Sequence, residues 1–102
     1  MSEQTGGDLR VDLSGQVAII TGASQGLGRA MALRLAAAGA RVACVARNAE
    51  KLAATVEAIA AAGGTAAAYS CDVTKADDVQ RVVDGVAEQW GRIDILVNNA
   101  GV

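Results

Sequence analysis

The sequence holds no histidine, no proline and no phenylalanine, and its only aromatic residues are Tyr69 and Trp90. Without histidine, a metal site would need its ligands from cysteine and carboxylate. Cys44 and Cys71 lie far apart and show no paired ligand spacing, so no metal site is expected. Both cysteines stand in apolar surroundings and read as buried, reduced thiols. The alternative is a disulfide, which requires an oxidising compartment. Two aromatics cannot build a stacking platform for single-stranded bases. Nor is there an excess of positive charge: 9 Lys+Arg stand against 11 Asp+Glu, a formal net charge of -2 with no basic stripe. That balance argues against nucleic acid as a partner. No run approaches the roughly 20 apolar residues that span a bilayer. The first ten residues carry neither the apolar nor the basic region of a signal peptide. A cytoplasmic chain is expected, with a flexible N-terminus over 1–12 and one domain over 13–102.

What the sequence has in quantity is apolar residues, at 52%, which is enough for a packed core. They fall into two alternating patterns, and no proline interrupts either. Val17 to Thr21 (VAIIT) is a continuous apolar run, the signature of a strand buried on both faces. A helix is predicted over about Gln25 to Ala38, with Leu27, Met31, Leu35 and Ala38 at helical spacing and Gly39 as its C-terminal cap. Arg41 to Ala46 reads as the second strand, and Asn48 caps a helix to about Ala62 with Leu52, Val56 and Ile59 on one face. Thr65 to Cys71 is the third strand. Asp72 to Thr74 forms a turn, with Thr74 as the cap of a third helix over Lys75 to Gln89 striped by Val79, Val82, Val83 and Val86. Ile93 to Val97 is the fourth strand. Apolar strands alternating with amphipathic helices predict an α/β fold of parallel strands joined by right-handed crossovers.

The richest motif is Thr21-Gly22-Ala23-Ser24-Gln25-Gly26-Leu27-Gly28, which leaves a strand and opens a helix. A glycine triplet alone is weak evidence; this context gives each glycine a task. Gly22 turns the chain sharply, Gly26 lets backbone approach a diphosphate, and Gly28 lets the helix pack against the strand. The free N–H groups of the first turn and the positive end of the helix dipole then face the anion. A phosphate-binding P-loop is excluded, because three residues rather than four separate Gly22 from Gly26 and no lysine follows. A glycine-rich connection with no ligand is the alternative.

In dinucleotide sites the tip of the second strand meets the adenosine ribose. A carboxylate there suits the 2′-hydroxyl of NAD, and an arginine suits the 2′-phosphate of NADP. Here the tip reads Ala46-Arg47-Asn48; the nearest acid, Glu50, is already in the next helix. Arg47 can present a planar fork to phosphate, which points to NADP rather than NAD. The alternative is a solvated arginine at a strand end. Lys51 and Lys75, near helix starts, are expected to face solvent.

Three motifs in order, TGASQGLG (Thr21 to Gly28), CDVT (Cys71 to Thr74) and NNAG (Asn98 to Gly101), each follow a strand. Together they resemble the short-chain dehydrogenases/reductases over about Leu13 to Val102. The resemblance implies a Rossmann-type three-layer sandwich with strand order 3-2-1-4. It implies that Asp72 bonds the adenine amino group with help from the Val73 backbone, although Asp72 also reads as an ordinary turn carboxylate. It implies that Asn98, Asn99, Ala100 and Gly101 run beside the adenosine ribose and tie the fourth strand to its neighbours; a plain Asn-Gly-rich loop is the alternative.

The family's chemistry uses a serine and a Tyr-x-x-x-Lys pair, with a helper asparagine, all beyond the NNAG element. Tyr69 is no substitute, since Val73 stands four positions after it. The 102 residues are therefore expected to bind a dinucleotide without turning over substrate. The family strand order also leaves the fourth strand as an unprotected edge, open to self-association. A non-catalytic dinucleotide-binding module and a ligand-free remnant stay open as alternatives to a dehydrogenase part.

Overall fold

The computed structural model describes residues 11–99 of the 102. Residues 1–10, with most of the N-terminal segment expected to be flexible, lie outside the described residues, as do Ala100 and Gly101. Seven elements follow in order: β1 (Val17–Thr21), α1 (Gly26–Ala37), β2 (Arg41–Ala46), α2 (Ala49–Ala61), β3 (Thr65–Ser70), α3 (Ala76–Trp90) and β4 (Ile95–Val97). The strands form one parallel sheet in the order β3-β2-β1-β4.

Side-chain alternation along the strands builds two cores. Ile20, Val42 and Cys44 pack with Ala32 and Ala36 of α1 and with Leu52 and Ile59 of α2. Val17, Ile19, Ala43 and Val45 pack with Val82 and Val86 of α3. The helices thus cover both faces, and the fold is a three-layer α/β sandwich of the Rossmann type.

The face that α1 packs inward differs from the predicted one. Gly28, Ala32 and Ala36 are its buried residues, whereas Leu27 is 67% exposed. Small residues win the inner stripe because they let the helix axis approach the sheet closely, with Met31, Leu33 and Leu35 filling in at the sides. α2 follows the sequence reading: the Asn48 side chain accepts a bond from Lys51 N at 3.0 Å, an N-cap. α3 does not. Its N-cap is Lys75, with no side-chain bond, and the Thr74 hydroxyl instead donates to Asp72 Oδ1 at 2.6 Å.

Two strands are also shorter than predicted. β3 ends at Ser70, although Cys71 N still bonds Ala46 O at 2.9 Å. β4 begins at Ile95 rather than Ile93, because the Asp94 carboxylate takes the Val17 N–H at 2.8 Å and so ties the start of β1 by side chain.

Tyr69 serves structure. Its hydroxyl donates to Gln89 Oε1 at 2.6 Å, and a Cβ on Gly85 would come within 3.1 Å of its ring. Both cysteines are free and buried, in different cores, so the disulfide alternative is out. Burial pushes the Cys44 thiol up to about 11, and burial first, then the Asp78 charge, raises Cys71. With little thiolate formed near pH 8, neither should react with Ellman's reagent until the chain is unfolded. Rapid labelling of the native protein would contradict this packing.

Candidate dinucleotide-binding site

Strand order reverses between β1 and β4, and ligands of open parallel sheets bind at the C-terminal ends of strands beside such a switch. The described residues of all three sequence motifs lie along this edge. The turn after β1 is held by backbone geometry: Gly22 and Gly26 have φ of +66° and +57°. A Cβ on Gly26 would meet nothing within 4 Å among the described residues, which leaves open space before it. A Cβ on Gly28 would lie 2.0 Å from Gly22 O and 2.8 Å from Asn99 Nδ2. Gly28 is thus where the helix, the turn and the loop after β4 meet at the closest approach that backbone allows.

The N-terminus of α1 is open to an anion. Gln25, its N-cap residue, makes no side-chain cap bond, and the first turn carries no acid. By contrast, α2 is capped by Asn48 and carries Glu50 in its first turn, and the first turn of α3 carries Asp77 and Asp78. Among the described helices, only α1 presents first-turn N–H groups and a positive dipole end without a carboxylate nearby.

Thr21 ties the two strands at the switch. Its hydroxyl accepts the Asn99 N–H at 2.8 Å and lies 3.2 Å from Asn98 Oδ1. A fully buried hydroxyl, which the sequence reading passed over, holds the turn from the other side. Thr55 of α2 donates to Ala23 O at 3.0 Å and is the one buried polar side chain among the described residues. Its signal in the sequence is a threonine within the stripe of Leu52, Val56 and Ile59. Thr55→Val keeps the shape but leaves that carbonyl unpaired, so urea unfolding should show a loss of about 1–3 kcal/mol. A loss below a few tenths would remove Thr55 from this role.

A groove of about 380 Å³ runs from the glycine turn past the tip of β2 to the turn after β3. It gathers Gly22, Ser24 and Gln25 from the first motif, Arg47 and Asn48 from the strand tip, and Asp72 and Val73 from the second motif, CDVT. Thr21, Gly26, Leu27, Gly28, Asn98 and Asn99 are not part of its wall. Gly26 and Leu27 are exposed at the start of α1, and the other four form the junction between β1 and β4.

Within the groove, Arg47 Nη2 reaches Asp72 Oδ2 at 3.3 Å, and the guanidinium side chain is 79% exposed. Asp72 Oδ1 accepts from the backbone N–H and hydroxyl of Thr74, so Asp72 is the turn carboxylate that its sequence position allows. Its remaining lone pairs leave room for a further donor. Lys51 is exposed, as expected, and it also lines the groove, where its Nζ donates to Gln25 Oε1 at 2.9 Å. The clue was its place three residues after the cap Asn48, on the same side of α2.

Three carboxylates set the acid limit of this edge and its supports. The Thr74 hydroxyl first, then its N–H, lowers Asp72; the Asp72 backbone N–H lowers Asp78; the Arg92 guanidinium lowers Asp94. Their ordinary value is 3.8, so the unfolded chain binds more protons as acid is added. Their stabilising contribution is complete above that value and fades as pH falls through the lower folded values. The urea midpoint should therefore drop between about pH 4 and pH 2. A midpoint unchanged over that window would contradict the bonds named.

A sequence profile described as short chain dehydrogenase matches residues 16–102. The chain belongs to the short chain dehydrogenase family. It is 46% identical over 95 residues to D-threitol dehydrogenase of Mycolicibacterium smegmatis, covering 93% of this chain and 36% of that one. It is 42% identical over 87 residues to 3beta-hydroxysteroid dehydrogenase of Mediterraneibacter gnavus, covering 85% and 32%. The chain thus spans about a third of the length of these relatives. Its fold superposes on a metagenomic short-chain oxidoreductase solved in complex with NADP, with a TM-score of 0.85 and 51% identity over 88% of this chain and 41% of that one. A hydroxysteroid dehydrogenase from Escherichia coli gives a TM-score of 0.87 at 41% identity, covering 89% and 39%. Family membership accounts for the placement of the described motif residues on one sheet edge.

Proposed function

We propose that this chain is the cofactor-binding part of an NADP-dependent short-chain dehydrogenase/reductase acting on an alcohol or ketone. The observation that carries the reading is the uncapped, acid-free start of α1 beside open space at Gly26, opposite a β2 tip with no carboxylate. The diphosphate would lie on the N–H groups of the Ser24–Gly28 turn, and the 2′-phosphate beside Arg47. Asp72 and the Val73 backbone would meet the adenine, and Asn98 to Gly101 would run beside the ribose. When bound, the nicotinamide of such a cofactor exchanges a hydride with substrate. The described residues hold no Tyr-x-x-x-Lys pair to move the accompanying proton, so these 102 residues are proposed to bind cofactor without turnover. A cytoplasmic location belongs to this reading, and two unpaired buried thiols suit it.

A hydrogen bond to a charged group contributes about 1.5–3 kcal/mol, so NADPH should bind roughly 10- to 100-fold tighter than NADH. Quenching or enhancement of the reduced nicotinamide's fluorescence measures both constants. Equal or tighter NADH binding would defeat the NADP assignment. The reading also includes self-association through β4, which pairs only with β1 among the described residues and leaves Leu96 67% exposed. Size-exclusion should show a species larger than the monomer that Leu96→Lys shifts toward monomer; a monomeric parent chain removes this part.

A further inference from the structure

We infer that Lys51, rather than Arg47 alone, supplies the positive charge that selects a 2′-phosphorylated dinucleotide. The inference rests on the NADP reading above and deepens it.

Among the described residues, three charged side chains line the groove: Arg47, Lys51 and Asp72. Arg47 is the residue that the strand-tip rule singles out, yet its charge is already opposed. Its guanidinium pairs with the Asp72 carboxylate at 3.3 Å. An arriving phosphate must share that arginine with a carboxylate, or displace it. Lys51 differs. Its Nζ is held at 2.9 Å by the amide oxygen of Gln25, which is polar and neutral. The contact fixes where the ammonium sits without cancelling its charge. An ammonium has three donors and spends one on Gln25, leaving two for a ligand.

The place is also the right one. Gln25 belongs to the glycine turn after β1, and Asn48, three residues before Lys51, belongs to the tip of β2. The Lys51–Gln25 bond bridges the gap between these two elements, where the adenosine ribose of a dinucleotide lies between diphosphate and adenine. A phosphate on the 2′-oxygen would enter between Lys51 and Arg47. With Asp72 opposing one of the two cations, the groove carries a net single positive charge, and Lys51 is its unopposed source.

NADP and NAD differ only in the 2′-phosphate, so the ratio of their affinities isolates this contact. The experiment titrates the chain calorimetrically with each, for the parent and for Lys51→Gln and Lys51→Arg. Lys51 is exposed on α2, and matching melting curves check that the variants fold. We expect Lys51→Gln to reduce the NADP:NAD preference about tenfold while NAD affinity stays within about twofold, and Lys51→Arg to keep the preference. A parent chain that prefers NADP, with a preference unchanged in Lys51→Gln, overturns this inference and leaves the NADP reading standing. An equal loss for both cofactors overturns it as well, because Lys51 would then be reading the diphosphate. A parent chain with no NADP preference overturns the NADP reading itself, and this inference with it.

Discussion

Gly28→Ala should lower the melting temperature by about 10 °C and weaken dinucleotide binding, although alanine is the better helix former. Two effects of opposite sign compete. In a helix interior alanine is favoured over glycine by about 1 kcal/mol. Against that, the new Cβ would lie 2.0 Å from Gly22 O and 2.7 Å from Gly22 C. These are backbone atoms of a turn, which no rotamer change can move aside. Overpacking of this kind costs typically 1–3 kcal/mol and sometimes more, and a contact this short belongs at the upper end. The net loss is about 2 kcal/mol, and each kcal/mol shifts a domain of this size by roughly 4–8 °C. The Asn99 side chain, 2.8 Å from the same point, would be pushed as well, loosening the junction that Thr21 holds between β1 and the loop after β4. Scanning calorimetry measures the shift. An unchanged or raised melting temperature would mean that α1 does not pack as described.

Gly26→Val should show the opposite balance: a modest loss of stability and a large loss of affinity. Gly26 sits at φ +57°, and a Cβ there would meet no atom of the described residues within 4 Å. Sterics within the fold therefore do not demand glycine. The left-handed backbone costs an L-residue about 1–2 kcal/mol, with a β-branched side chain at the worse end. Relieving that strain would turn the first-turn N–H groups away from the proposed diphosphate, and the isopropyl group would occupy the space that anion needs. Losing one charge-assisted hydrogen bond costs roughly 10- to 100-fold in affinity. Gly26→Asn separates the two causes, since asparagine tolerates the left-handed region. It should restore most of the stability and still bind poorly. If Gly26→Asn binds dinucleotide as well as the parent chain, the open space at Gly26 serves no ligand.

Much of this architecture is legible in the sequence, for reasons that particular residues make plain. β1 and β2 announce themselves because both faces of a central parallel strand are buried, so VAIIT and RVACVA are nearly unbroken apolar runs. The cap at Asn48 follows from local chemistry alone. The glycine turn is readable because its context, strand before and helix after, is local too.

What the sequence hides depends on partners distant in the chain. Leu27 looks like core by helical spacing, but the tight approach at Gly28 turns the small residues inward and leaves Leu27 outside. Asp94 reads as part of a strand, and only the arrival of Val17 beside it shows that its carboxylate replaces a ladder bond. Thr74 has the right identity for a cap, yet Asp72 is nearer and charged, and takes its hydroxyl. Lys51 is solvent-exposed, as its place near a helix start suggests, and only the fold shows that Gln25, on a different element, lies within bonding distance of it. Thr55 is the same case in the core. A threonine on a buried helical face has no evident use until the carbonyl of Ala23 lies above it.

The proposed site depends on backbone N–H groups at the start of α1 receiving a diphosphate. The most direct measurement is a titration of the isotopically labelled chain with ADP, followed by amide chemical shifts. The largest shifts are expected at Ser24 to Gly28, with smaller ones at Arg47 to Lys51 and Asp72 to Val73, and none at the far end of α3 around Glu88. Saturating ADP that leaves the Ser24–Gly28 amides in place, or that moves only amides elsewhere, would contradict the account.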